Sequence, residues 1–151
     1  MTHQLNFIYN DSDWICPAEY PDLSKATEIA IDLETKDPNI KTKGPGWATF
    51  DGHIVGFAVA ALGQQWYFPI AHDAGGNMDL AITTAWMQDV LRTDATKIFH
   101  NASYDVGWLL VNGFEIRGKI VDTMVAAAII NENRFSFSLN ACAKDYLGEI
   151  K

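Results

Sequence analysis

The stretch IAIDLETKDPN, Ile29 to Asn39, sets an apolar strand against two carboxylates one residue apart. Ile29, Ala30 and Ile31 read as buried backbone. Asp32 follows, then Leu33, then Glu34 and the polar run Thr35, Lys36, Asp37. Side chains at i and i+2 of a strand share a face. Asp32 and Glu34 therefore project together, where a strand over Glu28–Leu33 is expected to end. Two anions side by side repel and raise each other's pKa unless a cation sits between them. Hard oxygen ligands of this kind suit Mg²⁺ or Mn²⁺. A solvated strand end has the same composition, so the pair takes its meaning from the rest of the chain.

Around this stretch the chain alternates strand and helix signals. LNFIY, Leu5–Tyr9, reads as a short strand, and DPNIKTKGPG, Asp37–Gly46, as a loop. HIVGFAVA (His53–Ala60) and QQWYFPI (Gln65–Ile70) flank Leu62–Gly63 and predict a hairpin. Asp79 can cap a helix running to Leu91, with Ile82, Trp86 and Val90 on one face. KIFH, Lys97–His100, reads as a strand, and Ser103–Asn112 as a helix closed by Gly113. Asp122 to Ile130 is apolar nearly all round, which predicts a buried helix. A last helix spans Ser138–Leu147 and ends at Gly148. The expected architecture is a single mixed α/β layered domain over residues 1–151.

The totals agree. The 151 residues are 48% hydrophobic and 20% charged, enough for one cored domain. The net charge of −8 argues against holding duplex DNA by charge alone. It does not exclude a nucleic-acid enzyme whose acidic site is neutralised by metal ions. Cys16 and Cys142 have no paired spacing, which fits a reducing cytoplasm. The opening MTHQLNFIYN does not read as a signal peptide. The longest apolar run, Met124–Ile130, falls far short of the ~20 residues of a membrane span.

A second segment, FHNASYDVGWLL (Phe99–Leu110), turns from strand into helix with Asp105 in the first turn or two. Alone, Asp105 reads as dipole-stabilising, and Asn101 and Ser103 as caps. In order with D-x-E, a hairpin, a helix and a short strand, this segment resembles the DEDD (DnaQ-like) 3′-to-5′ exonuclease superfamily. The closest resemblance is to the phage-like proofreading domain of family A DNA polymerases. IVGFAVA…WYFPIAHD (Ile54–Asp73), NGFEIRGKIVDTMVAAAIIN (Asn112–Asn131) and SLNACAKDYLG (Ser138–Gly148) carry the likeness across nearly the whole chain from Ile29 onward.

The resemblance implies a ribonuclease-H-like fold: a mixed sheet of about five strands flanked by helices, with the Asp32 strand central. It implies two Mg²⁺ or Mn²⁺ ions per complete site, roughly 3.5–4 Å apart across the scissile phosphate. Asp32 would bind both ions, Glu34 one, and Asp105 the second, directly or through water. Asn101 and Tyr104 match positions that touch the terminal nucleotide, and the backbone around Leu33 and Thr35 would lie against the 3′ end. The implied partners are a single-stranded DNA 3′ end and a downstream polymerase domain, in the cytoplasm of a host if phage-encoded. His100 takes no role, Asp122 reads as a helix cap, and His53 and His72 as structural or surface residues.

The family also uses a fourth acid in Y-x-x-x-D or H-x-x-x-D. Asp122 and Asp145 follow Asp105, but the residues four before them are Gly118 and Ala141. The expectation is a domain ending before its last catalytic helix, weak or inactive by itself. Two rivals stand beside it: a stand-alone exoribonuclease like ribonuclease D, and a non-catalytic nucleic-acid-binding or scaffold module.

Overall fold

The computed structural model describes residues 15–148. Five strands form one open sheet in the order β3-β2-β1-β4-β5. In chain order these are β1 (Glu28–Lys36), β2 (His53–Ala61), β3 (Gln64–Pro69), β4 (Thr96–Phe99) and β5 (Ile120–Asp122). β1 is central, antiparallel to β2 and parallel to β4, and β4 pairs parallel with β5. This is the mixed sheet of the ribonuclease-H-like exonuclease fold. The strand expected at Leu5–Tyr9 lies outside the described residues.

The β2–β3 hairpin turns at Leu62 and Gly63, both at positive φ (54° and 74°). Two left-handed residues make the turn whose twist matches the flanking strands. The turn fixes the register, with Ala58 opposite Tyr67 and Phe57 opposite Phe68. β1 continues past the expected end at Leu33, because β2 goes on pairing with it through Thr35↔Ile54 and Lys36↔His53. The register shifts between Glu34 and Thr35, a local irregularity just beyond the carboxylate pair.

Alternation along the strands gives the sheet two unlike faces. Ile29, Ile31, Leu33, Phe57, Val59, Phe68 and Phe99 are buried on one. The helices α3 (Leu80–Arg92) and α4 (Ala102–Val111) supply Met87, Val90, Leu91, Trp108 and Leu109 to the same core. Asp79 caps α3, accepting from the Ile82 N–H at 2.9 Å. The buried side of α3 is Thr83, Met87, Val90 and Leu91. Ile82 is exposed, and Trp86 packs half-buried against Phe68 and Tyr20. Of the spacing-four stripe, Val90 is buried and Trp86 packs on the core, while Ile82 is exposed; Thr83, its hydroxyl bonded to the Asp79 carbonyl and Tyr20, takes the buried place beside it.

Lys97 on β4 is fully buried among oxygens. Its ammonium donates to the Thr93, Ala95 and Arg117 carbonyls and to the Thr93 hydroxyl. It thereby closes the C-terminal end of α3 on the sheet.

Asp37–Gly46, expected as a loop, carries α1 (Ile40–Lys43) and the start of α2 (Gly46–Thr49). These turns pack on α4: a Cβ on Gly107 would lie 2.4 Å from the Trp47 ring. The last helices are α5 (Thr123–Ile130) and α6 (Leu139–Leu147), the latter ending at Gly148 with φ 71°. α5 is not the buried helix its composition predicts. Only Ala127 is buried, while Val125, Ile129 and Ile130 are exposed. An apolar helix is buried only where a neighbouring surface meets it, and no described residue covers that side. Three-residue β5 was not expected, being too short to carry a period.

The second sheet face is floored by small side chains, Ala30, Ala58 and Ala60. A cavity of about 770 Å³ opens over them, with Tyr67, His100, Thr123 and Leu139 on its walls and Asp32 at its edge.

Candidate active site

Asp32 and Glu34 both project, exposed, from the second face of β1. Leu33 between them points into the core, and its backbone N–H points toward α4. There the Asp105 carboxylate accepts it at 3.1 Å. Asp105 is 3% exposed. Burial pushes its carboxyl up to about 7, and the Asp32 and Asp122 charges push the same way against the Leu33 hydrogen bond.

The rim beside this contact is a hydrogen-bonded chain. The Thr35 hydroxyl bonds the Tyr104 hydroxyl at 2.8 Å. The Tyr104 hydroxyl bonds Asp37 Oδ2 at 3.0 Å, and that oxygen also accepts from the Gly46 N–H at 2.8 Å. Tyr104 is thus held between β1 and the segment after it. Burial raises the Tyr104 phenol above the ordinary tyrosine range. Asp37 was missed as a site residue, although it lies in the quoted stretch: no pattern links position 37 to position 104.

Asn101 begins α4 in the left-handed region, φ 65°, a conformation Asn tolerates better than most residues. Its side chain makes no cap to α4. Asp122 supplies that cap instead. One carboxylate accepts the Asn101 and Ala102 N–H groups of α4 (3.1 and 2.8 Å) and the Met124 and Val125 N–H groups of α5 (2.9 and 3.3 Å). Burial would raise the Asp122 pKa, but these four donors outweigh it and hold it below the usual carboxylate range. Asp122 is therefore a cap, as its place before an apolar run predicts, and for two helices rather than one.

His100 is tied to the Thr123 hydroxyl and the Phe137 carbonyl, both at 2.9 Å. Asp145 pairs with Arg134 at 3.0 Å.

Tyr67 was given no role from the sequence, and His72 was read as a structural or surface residue. The Tyr67 hydroxyl bonds His72 Nε2, and Tyr67 lines the cavity together with Asp32. Burial and the Glu34 charge push the Tyr67 phenol up to about 12.

The structure thus joins Leu33 to Asp105 and Thr35 to Tyr104, and the Asp32 charge acts on Asp105. Among the described residues no three His, Cys, Asp or Glu side chains are grouped to hold a metal. Asp32, Glu34 and Asp105 are not gathered around one point, and Asp105 accepts the Leu33 N–H. The donor chemistry still fits a hard dication. All three are carboxylates, and Asp105 is buried in the repulsive field of Asp32.

Sheet order and topology define the class of fold, that of the 3′–5′ exonucleases. The family model described as 3′–5′ exonuclease, of the type found in A-family DNA polymerases, matches residues 20–151. The chain belongs to this family. It is 31% identical over 145 residues to a DNA-directed DNA polymerase of Pseudomonas phage M6, covering 91% of this chain and 22% of the relative. A DNA polymerase, DpoZ, of Salmonella phage PMBT28 is 29% identical over 132 residues, 86% of this chain and 19% of the relative. The chain thus spans about a fifth of the length of these relatives.

The fold is shared with Brucella melitensis NrnC with bound Mg²⁺ (TM-score 0.61, 17% identity, 86% of this chain and 58% of that one). It is shared equally with Escherichia coli RNase D, an exoribonuclease (TM-score 0.61, 18% identity, 85% and 30%). Among the described residues no helix is long and apolar enough to cross a membrane.

Proposed function

We propose that this chain is the proofreading 3′-to-5′ exonuclease domain of a phage-type family A DNA polymerase, acting on the single-stranded 3′ end of DNA. The observation that carries this reading is the Asp105–Leu33 hydrogen bond, which seats an acid of α4 against the backbone between two acids of β1. Family membership and two phage polymerase relatives support it.

Asp32, Glu34 and Asp105 would hold Mg²⁺ or Mn²⁺. Such ions supply a nucleophilic hydroxide and charge stabilisation on the phosphate. The chain's own residues do the rest. Tyr104, pinned through its hydroxyl by Thr35 and Asp37 and partly packed on the core, would contact the terminal nucleotide from the start of α4. Asn101 carries its amide at the start of α4, with the helix capped by Asp122, so it can reach the terminal nucleotide. The backbone of β1 around Leu33 and Thr35 would lie against the 3′ end. Burial keeps Asp105 partly protonated near pH 7 without a cation, and a bound cation favours its ionised form.

Asp122 is spent on two helix ends and Asp145 on Arg134, so neither serves as the fourth acid. The 151-residue chain is therefore proposed to be slow or inert by itself. The downstream partner of this reading is the polymerase domain of a longer polypeptide.

Calorimetric titration with Mn²⁺ tests the site. Weak binding that Asp32→Ala abolishes is expected, and binding unchanged in Asp32→Ala overturns the assignment. A ribonuclease-D-like exoribonuclease is the second reading, favoured by the equal fold likeness to RNase D. Preference for an RNA over a DNA oligonucleotide of the same sequence would establish it.

A further inference from the structure

Across the hairpin, a row of paired residues runs from β1 to β3. Asp32 pairs with Ala58, and Ala58 with Tyr67. Paired residues of neighbouring strands project from the same face, so the Tyr67 ring lies on the face that carries the carboxylates. Glu34, the next residue on that face of β1, pairs with Gly56. A Cβ built on Gly56 would lie 2.1 Å from the Tyr67 hydroxyl oxygen. Directly opposed Cβ atoms stand about 4.5–5.5 Å apart. The hydroxyl therefore occupies the place of the missing side chain opposite Glu34. Ala58 and Gly56 are small enough for the ring to lie across β2 and arrive there.

The hydroxyl is held from behind. His72 Nε2 bonds it, with the two rings edge to face at 5.8 Å. The His72 backbone is clamped by Asn77, whose side chain accepts from the His72 N–H at 2.7 Å and donates to its carbonyl at 2.8 Å. The adjacent Asp73 pairs with Lys36 at the end of β1, at 2.8 Å. The loop after β3 is thus fastened to the strand that bears the acids.

We propose that Tyr67, set by His72, is a positioning residue of the metal site that fixes the Glu34 carboxylate for its cation. This rests on the reading of Asp32 and Glu34 as metal ligands. Groups that orient a first ligand commonly affect metal affinity by about 10–100-fold.

The test is Mn²⁺ affinity and the Mn²⁺ electron paramagnetic resonance spectrum of the 151-residue chain, with thermal unfolding as the check on fold. Tyr67→Phe keeps the ring and is expected to weaken Mn²⁺ about tenfold with little change in Tm. Gly56→Ala, which evicts the hydroxyl, should do the same. His72→Ala should weaken binding, and His72→Gln, which restores a polar partner, should recover part of it. Tyr67→Phe binding Mn²⁺ within about twofold of the unchanged chain, while Asp32→Ala binds none, overturns the role of Tyr67 and leaves the metal site standing. Mn²⁺ binding that is absent, or indifferent to Asp32→Ala, overturns the site and the positioning role with it.

Discussion

The Leu33 N–H donates to the Asp105 carboxylate at 3.1 Å, a bond that joins the central strand to α4 across 72 residues of sequence. Burial of that acid and the Asp32 charge raise its pKa, and the Leu33 hydrogen bond offsets only part of the rise. The geometry that makes a cation welcome also makes the cation-free domain pay attention to pH.

The first prediction follows from that burial. Asp105 has a folded pKa of about 7 against an ordinary 3.8. Raised in this sense, it favours folding most below the ordinary value, and this contribution is lost as pH rises through about 7. Metal-free protein should therefore lose stability between about pH 4 and pH 7 in urea unfolding. Asp105→Asn should flatten that part of the profile. An unaltered slope in the variant would show that the carboxyl is not held protonated.

Asp122 should matter to stability more than any other exposed-end carboxylate. Removing a cap costs about 0.5–2 kcal/mol, and Asp122→Ala removes the cap of both α4 and α5. A loss of about 1–4 kcal/mol is expected in urea unfolding. Its pKa is lowered, so its contribution is present above the ordinary carboxylate value and lost as pH falls through the folded one. Asp122→Ala should accordingly lack part of the normal acid sensitivity below about pH 4. A loss below about 0.5 kcal/mol would mean that water replaces the carboxylate at both helix ends.

Lys97→Met keeps the aliphatic stem and deletes the ammonium that four oxygens surround. Hydrogen bonds to a charged group are worth about 1.5–3 kcal/mol each, and orphaned buried carbonyls add a cost. A fall in stability of at least about 2 kcal/mol is expected. Lys97→Arg should rescue little, since the planar guanidinium does not match a compact oxygen cage. A neutral Lys97→Met would show that packing of the stem alone holds α3 to β4.

How much of this could be read in advance varies with the physics of each element. The D-x-E strand, the hairpin, and the helices starting at Asp79 and Ser138 were legible because caps, turns and period are local. The double role of Asp122 was half legible: its cap of α5 is two residues away, its cap of α4 twenty. Tyr67 could have been found by counting out from a two-residue turn at Leu62–Gly63, which sets Ala58 opposite it, and then Asp32 beyond. Asp37 could not, because its partner is Tyr104 in another element. α5 misled because apolar composition speaks of the need for a covering surface, not of its presence among the described residues.

The most direct test of the central claim is digestion of a 5′-labelled single-stranded DNA oligonucleotide with Mg²⁺. It compares the 151-residue chain with a polypeptide continuing past Lys151 through a Tyr-x-x-x-Asp helix. Slow or undetectable shortening is predicted for the first. Stepwise loss of single nucleotides from the 3′ end, at least ~10²-fold faster, is predicted for the second. Asp32→Ala or Asp105→Ala should abolish it. Digestion that survives both substitutions, or that proceeds from the 5′ end, would contradict the account.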